Sequence, residues 1–203
     1  MEMAASLVAI AAGDADEASR QEKRTQVLLK DPPLTMLLSA QTAQLNGDEK
    51  AAERFFQAMT EQTDTEFLGV RGLLNQALNR RDGVLALKLA QRAYQLRPDS
   101  DWVAEQLFDL QIQEGLWLEA QITTDEQVQG LHIDKVAGKR RKALLTFQQG
   151  KEMSAVGDIQ SAEKNFKAAY IQDPTFVPSI LAHANVLIQK GKFSNAAAII
   201  KKA

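Results

Sequence analysis

His132 and His183 are the only histidines of the chain, and imidazole is the side chain best suited to general-base work or to ligating a haem iron near neutral pH. Neither stands at metal-ligand spacing from a second histidine, and there is no cysteine. Thiolate metal sites, disulfides and cysteine nucleophiles are therefore excluded, and the residues predict no metal site and no cofactor. His183 shares the apolar side of a helical stretch with Ile180, Ala184 and Leu187, so a packed histidine is expected there. Carboxylates are plentiful, but no two of them stand out as an acid–base pair. Asp14-Ala15-Asp16-Glu17 reads as a helix cap followed by acidic residues that complement the helix dipole. No phosphate-cradling glycine loop or nucleophile motif is present. The expectation is a protein without catalytic machinery.

One charge cluster remains, Lys139-Arg140-Arg141-Lys142. Such a run can meet an anionic lipid surface. On a helix, though, four consecutive side chains point in different directions, so a solvated turn with nearby ion pairs is the expected state. The formal charge of −2 gives no electrostatic reason to expect nucleic acid as a partner. Apolar residues make up 45% and charged residues 25%, a balance that argues for folding over disorder. Aromatics are sparse while Ala, Leu and Gln abound, which favours helices over strands. No run of about 18 apolar residues exists to span a bilayer. The opening Met-Glu-Met and Ala4 to Ala12 are too short, and lack the basic flank, for a signal peptide. The chain as given is expected to be soluble.

The elements that position these residues come from an internal repeat. Ala18, Ala52, Ala86 and Ala120 follow one another at 34-residue steps, and Ala162 and Ala196 resume that interval after a step eight residues longer. Gly13, Gly47 and Gly115 lie on a grid of the same period, which Gly157 and Gly191 continue. Pro98 and Pro174 share a place, as do Ala93, Ala169 and Ala203. Apolar residues at helical spacing run from Leu37 to Leu45, and again through Ala52, Phe55, Phe56 and Met59. Between them sits Asn46-Gly47-Asp48: Gly47 suits the left-handed end of one helix, and Asp48 can cap the next. Gly13-Asp14 and Gly157-Asp158 repeat this punctuation, and Arg81-Asp82-Gly83 is a shifted version that keeps the cap. The recurrent alanine lets two antiparallel helices approach to roughly 8–10 Å. Four residues later, Phe56 or Phe166 is expected to fill the space between neighbouring hairpins. The prolines should end the second helix of a unit.

Units of this length, with small residues at the helix crossing, an aromatic four places on and a closing proline, resemble tetratricopeptide repeats. The stretch Ala143 to Phe176 carries most of the pattern in Gly150, Gly157, Ala162, Phe166, Ala169 and Pro174. Elsewhere Leu74 stands where such repeats place Gly, and Asp64 where they often place Pro. The fold class expected is all-α, a tetratricopeptide-like α-solenoid of antiparallel helix hairpins. Its single superhelical domain divides into a partial hairpin at 1–30, full ones at 33–66 and 67–100, an enlarged one at 101–142, another at 143–176, and an incomplete one at 177–203.

Longer strings are more specific. Leu28-Leu29-Lys30-Asp31-Pro32-Pro33-Leu34-Thr35 and Ala40-Gln41-Thr42-Ala43-Gln44-Leu45-Asn46-Gly47-Asp48 resemble the start of the soluble part of HemY-type proteins. These are tetratricopeptide proteins of proteobacterial haem-biosynthesis operons. Thr65-Glu66-Phe67-Leu68-Gly69-Val70-Arg71-Gly72-Leu73 is similar to their next hairpin. So are Gly130-Leu131-His132-Ile133-Asp134-Lys135 and Arg140-Arg141-Lys142-Ala143-Leu144-Leu145-Thr146. The resemblance implies an inner-membrane protein whose N-terminal membrane anchor is absent here, with the repeats on the cytoplasmic side. It also implies a connection to a late step of haem (porphyrin) synthesis without specifying a reaction. This chain then reads as a truncated soluble fragment, ending partway along a helix at Ala203.

Stacked hairpins line the inner face of a curve with their first helices, where tetratricopeptide proteins hold peptides. Projection of those helices gives a candidate peptide-binding groove of Gln41, Gln44, Arg71, Asn75, Asn79, Trp102, Glu105, Asp109, Gln113, Phe147 and Lys151. Amides would bond a peptide backbone, Trp102 and Phe147 would be apolar anchors, and Arg71 or Lys151 would meet carboxylates. The function expected is a non-catalytic scaffold for a protein or peptide, with haem-pathway enzymes as the partners the resemblance implies. Two alternatives are a haem or porphyrin carrier and a general envelope-assembly protein. Ala196, Ala197, Ile199 and Ile200 are expected to lie uncovered and to promote self-association.

Overall fold

A computed structural model describes residues 2–28 and 32–202. Among these it contains twelve α-helices and no strand. They are α1 (Glu2–Ala12), α2 (Ala15–Leu28), α3 (Pro32–Leu45), α4 (Glu49–Thr60), α5 (Glu66–Asn79) and α6 (Gly83–Leu96), then α7 (Asp101–Gln113), α8 (Trp117–Gln129), α9 (Lys135–Ala155), α10 (Ile159–Gln172), α11 (Val177–Gln189) and α12 (Phe193–Lys202). Leu29, Lys30, Asp31 and Ala203, which the sequence reading used, lie outside the described residues. Contacts group the chain into two compact units, residues 1–103 and 104–203, with the division inside α7.

In the first unit each helix packs on the next in sequence, and α1 also touches α3. In the second the same succession runs from α8 to α12, and α9 touches α11. A helix that meets both its partner and the first helix of the following pair is the local pattern of an α-solenoid. The fold is all-α and tetratricopeptide-like.

The punctuation follows the grid. Gly13, Gly47, Gly115, Gly157 and Gly191 all have positive φ, and Arg81, the one non-glycine on that grid, takes φ 57°. Asp14, Asp48, Asp82 and Asp158 then accept the N–H of the residue three places on, at 2.9–3.0 Å, satisfying one of the exposed donors of each new helix. Leu116 holds that place before α8 and makes no side-chain cap. The grid alanines 18, 52, 86, 120, 162 and 196 are all buried.

Phe56 of α4 packs over Gly72 of α5, where an added Cβ would sit 2.3 Å from the ring. Gly150 makes the equivalent close approach to Phe166 inside the α9–α10 pair. Leu74 stands where a glycine was expected and is fully buried; the place that Phe166 holds opposite Gly150 is taken on α6 by the small, buried Ala90. No proline follows α4; instead the buried Thr65 hydroxyl donates to the Met59 carbonyl at 2.8 Å.

Two expectations change. The boundary between the units 101–142 and 143–176 falls inside a helix: α9 runs 21 residues without a break through position 142, so residues 135–142 lengthen the first helix of the next pair. Asp134 caps its start, accepting from the N–H groups of Val136 and Ala137 at 2.7 and 2.9 Å. At the other end Ala196 is buried against Ala184 and Leu187, and Ile199 is half-buried. Only Ala197 and Ile200 of the four residues expected to lie uncovered are exposed, because the grid alanine marks the crossing with α11.

Candidate functional site

Leu37, Gln41 and Gln44 recur along one face of α3, and Leu68, Arg71, Gly72 and Asn75 along one face of α5. Helical spacing of three and four residues puts each set in a row. The rows border a cavity of about 230 Å³, with Phe56 of α4 as its remaining wall. Four of the eleven projected groove residues thus meet in one pocket: Gln41, Gln44, Arg71 and Asn75. Leu37, Phe56, Leu68 and Gly72 complete it and were absent from the projection. The two glycines of Gly69-Val70-Arg71-Gly72 were the available signal, since helix-interior glycine marks a close approach.

Arg71 is held in place by Trp102, its guanidinium carbon lying 5.0 Å from the ring centroid. Trp102 itself is half-buried against Val70, Ala93 and Val103. It therefore positions Arg71 more than it offers a bare anchor. The Oε1 atom of Gln41 is buried and has no hydrogen-bond partner, which leaves a carboxamide in the pocket wall able to gain by pairing. Asn79 is exposed one turn beyond Asn75 and does not border the cavity.

The other five projected residues belong to the second unit. Glu105 accepts from Arg141 at 2.8 and 3.1 Å. Asp109 is held above the ordinary carboxylate range, chiefly by partial desolvation, with the Glu105 charge adding and Arg141 opposing. Gln113 and Lys151 are exposed. Phe147 is not a free anchor: its ring lies 5.6 Å from that of Phe166 and 5.5 Å, edge-on, from that of Phe176.

Arg141 is the centre of a polar layer that the sequence did not disclose. Its guanidinium also donates to Gln127 Oε1 at 3.0 Å and lies 4.6 Å from the Phe108 ring centroid. Nearby Thr123 donates to Gln111 at 3.0 Å, with both residues buried. Of the basic run, Lys142 pairs with Asp125 at 2.8 Å, while Lys139 and Arg140 are exposed. A second periodic feature also went unread. Ser19–Asn46, Glu53–Arg80 and Glu163–Lys190 each join two hairpins at a spacing of 27 residues.

His183 is buried, stacked on Tyr170 with centroids 5.9 Å apart, and its Nδ1 has no partner. Burial and then Lys167 hold its imidazole below the ordinary range, against the pull of Glu163. That is the packed histidine expected. His132 is half-buried, with its ring against Gly130. Among the described residues no three His, Cys, Asp or Glu side chains are placed to hold a metal ion. A cavity of about 510 Å³ between α8, α9 and α10 has Leu116, Trp117, Leu118 and Met153 among its walls. Its polar rim mixes Glu119 and Glu152 with Lys164, so no one ligand charge is selected.

No protein-family model matches the chain, and no curated protein matches it. Similar solved structures include MamA (41-end) from Desulfovibrio magneticus RS-1, at 12% identity and TM-score 0.42 over 85% of this chain and 93% of that one. The TPR2AB domain of yeast Sti1, in a complex with pHSP90, aligns at 14% identity and TM-score 0.45 over 98% and 87%. BtubC from P. vanneervenii aligns at 16% and 0.43 over 98% and 89%. Values this low leave the function of this chain to its own residues.

Proposed function

We propose that the chain is a non-catalytic scaffold that docks an extended peptide segment of a partner protein between the first helices α3 and α5. The observation that carries this is the pocket of Gln41, Gln44, Arg71 and Asn75 over the apolar floor of Leu37, Phe56 and Leu68. Carboxamides offer both a donor and an acceptor to a peptide backbone, and the guanidinium offers a fork for a carboxylate. Stacking on Trp102 lowers the entropy that Arg71 loses on binding.

The partner we propose is a protein of late haem synthesis, and the setting the cytoplasmic face of a bacterial inner membrane. The support is the set of HemY-like strings, of which 40–48 and 65–73 contain Gln41, Gln44 and Arg71. No helix among the described residues is long and apolar enough to cross a membrane.

Affinity capture with the natural membrane-inserted protein, with wild type and Arg71→Ala in parallel, tests both layers. A haem-pathway protein retained by wild type and lost from Arg71→Ala is the expected result. Partners unaffected by Arg71→Ala would refute the pocket, and recovery of none from that pathway would refute the setting. A porphyrin titration read by absorbance separates the carrier alternative: saturable one-to-one binding weakened in His132→Ala or His183→Ala would replace the scaffold reading.

A further inference from the structure

The eight residues added to the repeat do more than lengthen α9. Ala137, Arg140, Arg141 and Leu144 stand at spacings of three and four on one side of its first half. With Phe176, the residue before α11, they enclose a cavity of about 460 Å³. Three of these five residues, Ala137, Arg140 and Arg141, come from the added stretch 135–142. A unit of ordinary length would not have them.

The lining combines an apolar floor with two guanidinium groups and contains no carboxylate. The arginines differ in duty. Arg141 is engaged by Glu105 and Gln127 and packed on Phe108, which fixes the wall. Arg140 is exposed and has the Asp173 carboxylate as a neighbouring countercharge. That carboxylate already accepts from the Thr175 N–H and hydroxyl at 2.9 and 2.6 Å. Lys139 is exposed beside it. Phe176 makes no side-chain cap to α11, so the positive end of that helix dipole adds to the same field. Leu144 in the lining is 38% exposed, so the cavity is reached from solvent.

We infer that this cavity is a second docking site, for a peptide segment that carries a large apolar side chain beside an acidic one. The apolar side chain fills the space over Ala137, Leu144 and Phe176, and the carboxylate meets Arg140. A cavity of about 460 Å³ accepts a protruding side chain and is poorly matched to a flat bilayer, so a peptide is the occupant and not a lipid surface. The inference deepens the scaffold reading and rests on it.

Selection from a random octapeptide library displayed on phage tests it, using the chain as described here. The baits are wild type, Arg140→Ala, Leu144→Ser and Arg71→Ala, each first shown to keep its thermal transition. Arg140 and Leu144 are exposed, so folding is expected to survive. Wild type should enrich peptides with Phe, Leu or Trp next to Asp or Glu. The best of these, labelled and followed by fluorescence polarisation, should bind about tenfold more weakly to Arg140→Ala and to Leu144→Ser, and unchanged to Arg71→Ala. Enrichment that depends on Arg71 alone would overturn this site and leave the α3–α5 pocket standing. No enrichment at all would overturn both. Binding of phosphatidylglycerol vesicles that Arg140→Ala abolishes, without any peptide doing the same, would assign the surface to lipid and also overturn the inference.

Discussion

Gly72→Ala sets helix propensity against packing. Inside a helix such as α5, alanine in place of glycine ordinarily stabilises by about 0.5–1 kcal/mol. At Gly72 an added Cβ would stand 2.3, 2.4 and 2.6 Å from three atoms of the Phe56 ring. The ring is 3% exposed and surrounded by the core of Ala40, Ala43, Ala52 and Met59, so it cannot swing into solvent without losing its own burial. Overpacking of this kind costs about 1–3 kcal/mol, enough to exceed the propensity gain and leave a net loss of about 1 kcal/mol or more. Phe56→Ala alone should cost about 3–5 kcal/mol. In that background the clash is gone and Gly72→Ala should stabilise, giving a coupling of about 2 kcal/mol between the two positions. Urea unfolding measures all four corners of the cycle. Trp102 and Trp117 fall in different units, so a Trp117→Phe background lets fluorescence follow the first unit. A stabilising Gly72→Ala in wild type, or effects that simply add, would refute the packing of α4 on α5.

Arg81→Gly should stabilise by about 0.5–1 kcal/mol, because φ 57° strains any residue with a Cβ; a lower urea midpoint would contradict this. Gly157→Ala should cost about 1 kcal/mol through the backbone alone, since no atom lies within 4 Å of an added Cβ; an unchanged midpoint would count against it. His183 titrates lower in the folded protein than unfolded, so its contribution is intact above the unfolded value. It is lost as pH falls through that value toward the folded one. The drop in melting temperature between about pH 7 and pH 5 should shrink in His183→Gln, and an identical drop in both proteins would remove His183 as its source. Arg141→Ala should speed amide exchange across residues 135–142 while 143–155 stay protected, and uniform exchange along α9 would show that Arg141 does not pin the added turns.

A repeat records what every unit must solve again, which is why turns and crossings were legible. Glycine at the left-handed turn, aspartate at the cap and alanine at the crossing each meet a local demand. Arg81 interrupts the glycine grid without altering the turn, because the chain tolerates the strain while Asp82 keeps the cap. The extension of α9 was misplaced because the period was followed across a signal that opposed it. Asp134 already offered a cap nine residues before the boundary drawn at Ala143, and Gly138 is no breaker, since it lets Val128 approach to 2.3 Å of its missing Cβ. Of the projected positions, Gln41, Gln44, Arg71 and Asn75 border one pocket because helical spacing sets them in rows on α3 and α5. Phe147 had an alternative inside: an aromatic ring on such a face gains more by meeting Phe166 and Phe176 than by facing water. The 27-residue pairs were within reach too, as Glu53 with Arg80 and Glu163 with Lys190 show the same opposition of charge at one spacing.

The basic run at 139–142 shows why a charge cluster is better read by direction than by sum. Successive helical residues are separated by about 100°, so one turn distributes four like charges around the axis. Arg141 turns inward to Glu105 and Gln127, and Lys142 sideways to Asp125. Those pairings offset the repulsion that would otherwise weaken the first turns of a helix, where positive charge is least welcome. Lys139 and Arg140 are left facing outward, and only one of them borders a cavity. Half of the run holds α9 in place, and the held wall is what gives Arg140 a fixed surface to act from. Recognition by a single exposed guanidinium is weak where the backbone beneath it moves, and strong where a neighbour one residue along has removed that freedom.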